Sequence, residues 1–107
     1  MGNWSWHLAF YPLIKLHRLV EGYRGCFRVA GREILLIHEN GRSYLIDSRC
    51  PHAGRSLANG SCDGKVLRCP VHGLGFSLST MQCIEQPKFK LSHYPVAYDG
   101  DTLGVEL

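Results

Sequence analysis

The chain has 107 residues, with twelve basic and nine acidic side chains and a net charge of +3. That length suits one domain and leaves no room for a second, catalytic one. The charge excess is too mild for the basic stripe of a nucleic-acid binder, and no apolar stretch approaches the length of a membrane span.

The first residues, 1–11, read as a tail. They lack the basic start and cleavage site of a signal peptide, and Trp6 stands where a myristoylation signal needs Ser or Thr. Trp4 and Trp6 are candidates to clip this tail to the domain or to bind a partner. Residues 12–107 read as a single domain. A first strand is expected at 13–17, with Leu13, Lys15 and His17 on one side, and a second at 26–30. Gly31-Arg32 should turn into a third at 33–38. Asn40-Gly41 is a two-residue hairpin signal that feeds a strand at 43–47. Residues 48–64, with Pro51, Gly54, Gly60 and Gly64, read as a loop with no strand of any length. Short strands are expected at 65–68, 75–79, 89–91, 94–98 and 102–107, with Asp99-Gly100 marking the last hairpin turn. No segment has a sustained helical period with caps. Strands spaced by roughly eight to twelve residues indicate an all-β sandwich or barrel.

The five cysteines are an odd number, which argues against a complete disulfide framework. Free thiols fit a reducing cytoplasm. Cys26 and Cys83 read as small buried hydrophobes in strands, and Cys62, in a Gly/Ser/Asp loop, as more exposed.

Cys50-Pro51-His52 and Cys69-Pro70-Val71-His72 each pair a thiolate donor with an imidazole donor, sixteen residues apart. Two cysteines and two histidines so arranged make a metal site. One residue between Cys and His in the first arm, and two in the second, is unusual for zinc loops, which mostly use C-x₂₋₄-C and H-x₃₋₅-H spacings. A zinc-binding interaction module is nevertheless the alternative from another functional class.

From Gly41 onward the sequence resembles Rieske ferredoxins. The resemblance is carried by Tyr44 to Asp47, then CPHAGRSL, CPVHGLGFSLST and the closing YPV…DGDTLGVEL, and the earlier strand pattern extends it to about residue 11. It implies an all-β, antiparallel sandwich or barrel base with a small subdomain of two loops, about 48–80, around one [2Fe-2S] cluster. By the same match Cys50 and Cys69 hold the inner iron, and His52 and His72 hold the outer iron near solvent. Pro51 and Pro70 would stiffen the loops by fixing φ. Gly54 and Gly73 would permit the bends that bring backbone N–H groups to the sulfides. Replacing two thiolates by neutral imidazoles removes negative charge, so adding an electron costs less. Such centres lie at about −150 to +300 mV, against roughly −400 mV for plant-type clusters.

Respiratory Rieske proteins carry an extra cysteine in each loop, and these pair in a disulfide. Arg55 and Val71 occupy those positions here, so no such bridge is possible. Leu74 and Phe76 stand where those proteins have a serine and a tyrosine that donate to the cluster. Fewer donors leave the reduced cluster less stabilised, which implies a potential near −150 mV. Deprotonation of a ligand imidazole should lower the potential at alkaline pH. Ser77 and Thr80-Met81 depart from the family's acidic residue and Thr-Gly turn, and a more open turn is expected there. Arg49, Arg55, Lys65, Arg68, Lys88 and Lys90 flank the cluster end and are candidates for a face that steers an acidic partner.

The resemblance implies a cytoplasmic one-electron carrier, not itself an enzyme and monomeric alone. It would pass electrons from a flavin-containing reductase to a terminal oxygenase or similar oxidoreductase, without membrane or nucleic acid as partner. A small iron–sulfur subunit of an enzyme such as nitrite reductase is the second implied role.

Overall fold

The run Ile34-Leu35-Leu36-Ile37 has no polar residue to alternate with, and its place in the fold explains this. A computed structural model describes residues 9–51, 54–63, 65–71 and 73–107. Its strands are β1 (Phe10–Lys15), β2 (Arg24–Val29), β3 (Arg32–Glu39), β4 (Arg42–Asp47), β5 (Cys62–Asp63), β6 (Val66–Arg68), β7 (Gly75–Ser77), β8 (His93–Tyr94), β9 (Val96–Asp99) and β10 (Thr102–Glu106). They form three antiparallel sheets ordered β1-β10-β9, β2-β3-β4-β8 and β5-β6-β7. The four-stranded sheet is the middle layer. On one side Ile34, Leu36 and Leu45 pack with Leu103 and Val105 of β10. On the other, Leu35, Ile37 and Ile46 pack with Leu57, Leu67, Phe76, Leu78 and Leu91 of the two-loop subdomain. A strand buried on both faces reads as a continuous apolar run.

The two arms therefore sit on a rigid base. Asn40-Gly41 forms the expected hairpin turn, with φ of +54° and +72°, and Glu21 caps it by accepting from both turn amides. The β2–β3 turn falls on Ala30-Gly31, one residue before the expected Gly31-Arg32, because Val29 pairs with Arg32. The last turn falls on Gly100-Asp101, one residue after the expected Asp99-Gly100, since Asp99 pairs with Thr102.

Several expectations need correction. The first strand ends at Lys15, and Leu16–Arg18 turn as a short 3₁₀ segment. The register slips between Pro12 and Ile14, a bulge that an edge strand tolerates around a proline. The expected strand at 94–98 is two strands in different sheets, and the chain changes layer at Pro95, which has no N–H to give to a ladder. Residues 89–91 form no strand; Lys90 makes only an isolated bridge to Gln82. The loop 48–64 does contain a strand, since Cys62–Asp63 pair with Leu67 and Val66. The turn at Thr80-Met81 is closed, not open: Met81 N–H donates to Ser77 O at 2.6 Å. Met81 is buried at 9% exposure with φ +65°, so burial in the core holds a methionine where glycine would be unstrained. Cys83 is buried as expected, but Cys26 is exposed. Cys26 lies opposite Leu35, on the face the subdomain covers, but β2 is the edge strand and the cover does not reach it. Residues 1–8, including Trp4 and Trp6, and Gly64 lie outside the described residues.

Candidate metal centre

The two arms close in the same way. Cys50 N–H donates to Arg55 O at 2.7 Å, and Gly54 N–H returns to Cys50 O at 2.7 Å. In the second arm Cys69 N–H donates to Leu74 O at 2.9 Å, and Gly73 N–H returns to Cys69 O at 2.9 Å. The offsets are identical, five and four residues after the cysteine, although the histidines stand at different offsets. Gly54 and Gly73 have φ of +68° and +71°. A Cβ on either would meet nothing within 4 Å, so these positions need the left-handed conformation and not the space.

Cys50 and Cys69 are 1% and 2% exposed and belong to one buried cluster with Leu74, Phe76 and Cys83. None of the five cysteines is joined in a disulfide. His52 and His72 lie outside the described residues. Among the described residues no group of three His, Cys, Asp or Glu side chains is placed to hold a metal ion. Two sulfur donors at the bottom of two matched loops, on the core side, fit a cluster held from inside by sulfur. Pro51 and Pro70 are exposed at the arm tips. Leu74 and Phe76 seal the core side of the second arm and bring no hydroxyl to it. Arg55 and Val71 are exposed.

Polar contacts brace the arms from behind. Ser48, fully buried two residues before Cys50, donates its hydroxyl to Glu33 at 2.9 Å. The Arg24 guanidinium, from β2, donates to the carbonyls of Ala58 (3.0 Å) and Gly60. Arg68 donates to Gly73 O at 3.0 Å and to Glu85 at 3.3 Å, and Glu85 accepts from Gly75 N–H at 2.9 Å. That amide, with Arg68 helping, holds the Glu85 carboxyl below the usual range. Burial pushes the Cys62 thiol up, with Glu39 adding to it. Sequence reading missed Arg24, Ser48, Gly60 and Glu85. Their partners, backbone carbonyls for Arg24 and the Glu33 side chain for Ser48, lie far away along the sequence, and no local pattern encodes that.

The six candidate cations are all exposed. Arg49 and Arg55 belong to the first arm, and Arg68 to the base of the second. Lys65 instead lines a recess with Asn40, Arg42, Tyr44 and Ser79, beside the β3–β4 hairpin. Lys88 lies over the Phe89 ring, 5.3 Å from its centroid.

A family model for the Rieske [2Fe-2S] domain matches residues 9–95. The chain belongs to this family. Among relatives of this Rieske domain, the cholesterol 7-desaturase of Hemicentrotus pulcherrimus is 33% identical over 81 residues, 74% of this chain. The chain spans only 17% of that protein's length. The ferredoxin component of a naphthalene 1,2-dioxygenase system from Pseudomonas aeruginosa is 26% identical over 95 residues, covering 88% of this chain and 91% of the relative. In structure, the ferredoxin of carbazole 1,9a-dioxygenase from Nocardioides aromaticivorans superposes with a TM-score of 0.78 at 24% identity, over 90% of this chain and 95% of that one. The likeness extends over the base and the two-loop subdomain together. No helix among the described residues is long and apolar enough to cross a membrane.

Proposed function

We propose that residues 12–107 form a one-electron carrier whose [2Fe-2S] cluster is held by Cys50, His52, Cys69 and His72. The matched closure of the two arms over buried Cys50 and Cys69 carries this reading. The cluster supplies a single-electron couple, with mixed sulfur and imidazole ligation placing it above all-cysteine clusters. The chain's own residues do the rest. Gly54 and Gly73 turn each arm back on its cysteine. Leu74, Phe76 and Leu57 keep water from the sulfur side. Burial of the thiolates and exposure of the arm tips leave the histidine edge as the route for electrons.

The donor is a flavin-containing reductase and the acceptor a terminal oxygenase or similar oxidoreductase, with the carrier monomeric in the cytoplasm. The coverage of the dioxygenase ferredoxin component, 91% of its length, supports a separate carrier. One observation favours a second reading. Identity is 43% to the cholesterol 7-desaturase of Caenorhabditis elegans against 34% to the ferredoxin component of an alkene monooxygenase system, which fits a Rieske domain dedicated to one large enzyme. Reduction of an unrelated oxygenase by the purified chain supports the separate carrier, and strict dependence on one co-purifying partner supports the second reading.

The ligand set is tested on protein expressed and purified without oxygen. About two irons and two acid-labile sulfides per chain are expected, with loss of colour in Cys50→Ser, His52→Ala, Cys69→Ser and His72→Ala. Zinc without sulfide would replace this reading with a zinc module, and colour surviving in Cys50→Ser and His72→Ala would overturn the ligand assignment.

A further inference from the structure

We propose that the Arg68–Glu85 pair is a positioning device that fixes the second ligand arm and thereby sets the potential of the cluster. The inference rests on the ligand reading above. Arg68 and Gly75 are cross-strand partners at the base of the arm that runs through Cys69 and His72. The Arg68 guanidinium reaches over that arm to the carbonyl of Gly73, the residue after His72, at 3.0 Å. One oxygen of Glu85 takes the same guanidinium nitrogen at 3.3 Å, and the other takes Gly75 N–H at 2.9 Å. Two side chains thus grip both strands at the arm's base and the peptide at its far end.

Glu85 is itself held in place. Ile84 N–H donates to Gly75 O at 2.7 Å, and Cys83 bridges Phe76. Gly75 makes room for the clamp, since a Cβ there would lie 3.0 Å from Arg68 Nη1 and 2.9 Å from Val66 Cγ1. The two side chains are 46% and 44% exposed, and ion pairs this open contribute little to stability. Holding the fold together is therefore a poor account of the clamp. Groups behind metal ligands orient them and tune the metal's affinity and potential. A clamp on the Gly73 peptide acts on the residue bonded directly to a proposed ligand.

The test compares wild type with Arg68→Gln, Glu85→Gln, Arg68→Lys and the double variant, reading potential and the electron paramagnetic resonance spectrum of the reduced cluster. Lys15→Gln, on β1 and paired with Asp101 at 3.1 Å away from the arms, is the control and should match wild type. Arg68→Gln should shift the one-electron equilibrium toward the oxidised state by about threefold, roughly 28 mV, because a cation is lost as the arm loosens. The double variant restores the net charge but not the clamp, so its spectrum and potential should still differ from wild type. Arg68→Lys keeps the charge without the fork and should rescue only partly. If Arg68→Gln loses its cluster while Arg68→Lys keeps one with an altered spectrum, the clamp is supported. If all variants match wild type, or the double variant restores both readouts, positioning is refuted. A wild-type protein without a Rieske spectrum would refute the ligand reading instead.

Discussion

Replacing Gly60 with alanine should push the two ligand arms apart. A Cβ at Gly60 would lie 2.2 Å from the carbonyl oxygen of Arg68 and 3.2 Å from that of Leu57, against ordinary contacts from 3.4 Å. Both neighbours are backbone, so no side chain can swing aside, and the segments must separate by about 1.2 Å. They are not free to do so. Gly60 N–H donates to Leu57 O, Arg68 N–H donates to Ser61 O, and Arg24 holds the Ala58 and Gly60 carbonyls. Overpacking of this kind costs about 1–3 kcal/mol. With about 4–8 °C per kcal/mol for a domain of this size, Tm should fall by roughly 5–20 °C. Because Arg68 directly precedes Cys69, the fraction of chains loaded with cluster should fall as well. Circular dichroism on heating, with visible absorbance followed in parallel, measures both. Gly54→Ala is the comparison: its Cβ meets nothing, and its φ of +68° alone costs about 1–2 kcal/mol. Gly60→Ala melting within about 2 °C of wild type with full colour would refute the close approach.

Phe76 is fully buried in the same core cluster as Cys50 and Cys69, so Phe76→Ala should cost about 3–5 kcal/mol in urea unfolding, with loss of cluster. Ala30 sits in its hairpin turn at φ +50°; Ala30→Gly should stabilise by about 0.5–1 kcal/mol, read as a higher urea midpoint. Cys26→Ser, at an exposed position, should stay within about 0.5 kcal/mol of wild type, whereas Cys83→Ser should destabilise measurably. Glu21 is held below its ordinary value by the Asn40 amide, Glu85 by the Gly75 amide and Asp101 by Lys15. Each therefore adds stability above the ordinary carboxylate pKa, and that stability is lost as pH falls through the depressed folded value. Thermal scans should show Tm dropping below about pH 4.5, and Glu21→Gln should flatten part of that drop.

Much of the architecture was legible because it rests on local chemistry. Asn40-Gly41 needs two left-handed residues and has them, so the β3–β4 hairpin falls where its sequence puts it. The closure of the two arms was legible because a cysteine and a glycine four residues on recur in two short segments. Cys26 was misread because its burial depends on where the subdomain ends, and a strand's own pattern cannot report which strand is the edge. Pro95 was passed over inside an apparent strand, since a change of layer looks like continued alternation. The braces at Arg24, Gly60 and Glu85 bond to carbonyls and amides, which every residue carries, so their identity emerges only once the chain is folded.

Arg55, Val71, Leu74 and Phe76 indicate that the proposed mixed-ligand [2Fe-2S] centre lacks the disulfide and hydroxyl donors of respiratory Rieske proteins. An anaerobic redox titration of the purified chain, followed by visible absorbance, decides both the mixed ligation and that lack. A one-electron midpoint near about −150 mV is predicted. A midpoint near roughly −400 mV would contradict histidine ligation, and one above about +100 mV would contradict the assignment to the disulfide-free, low-potential class.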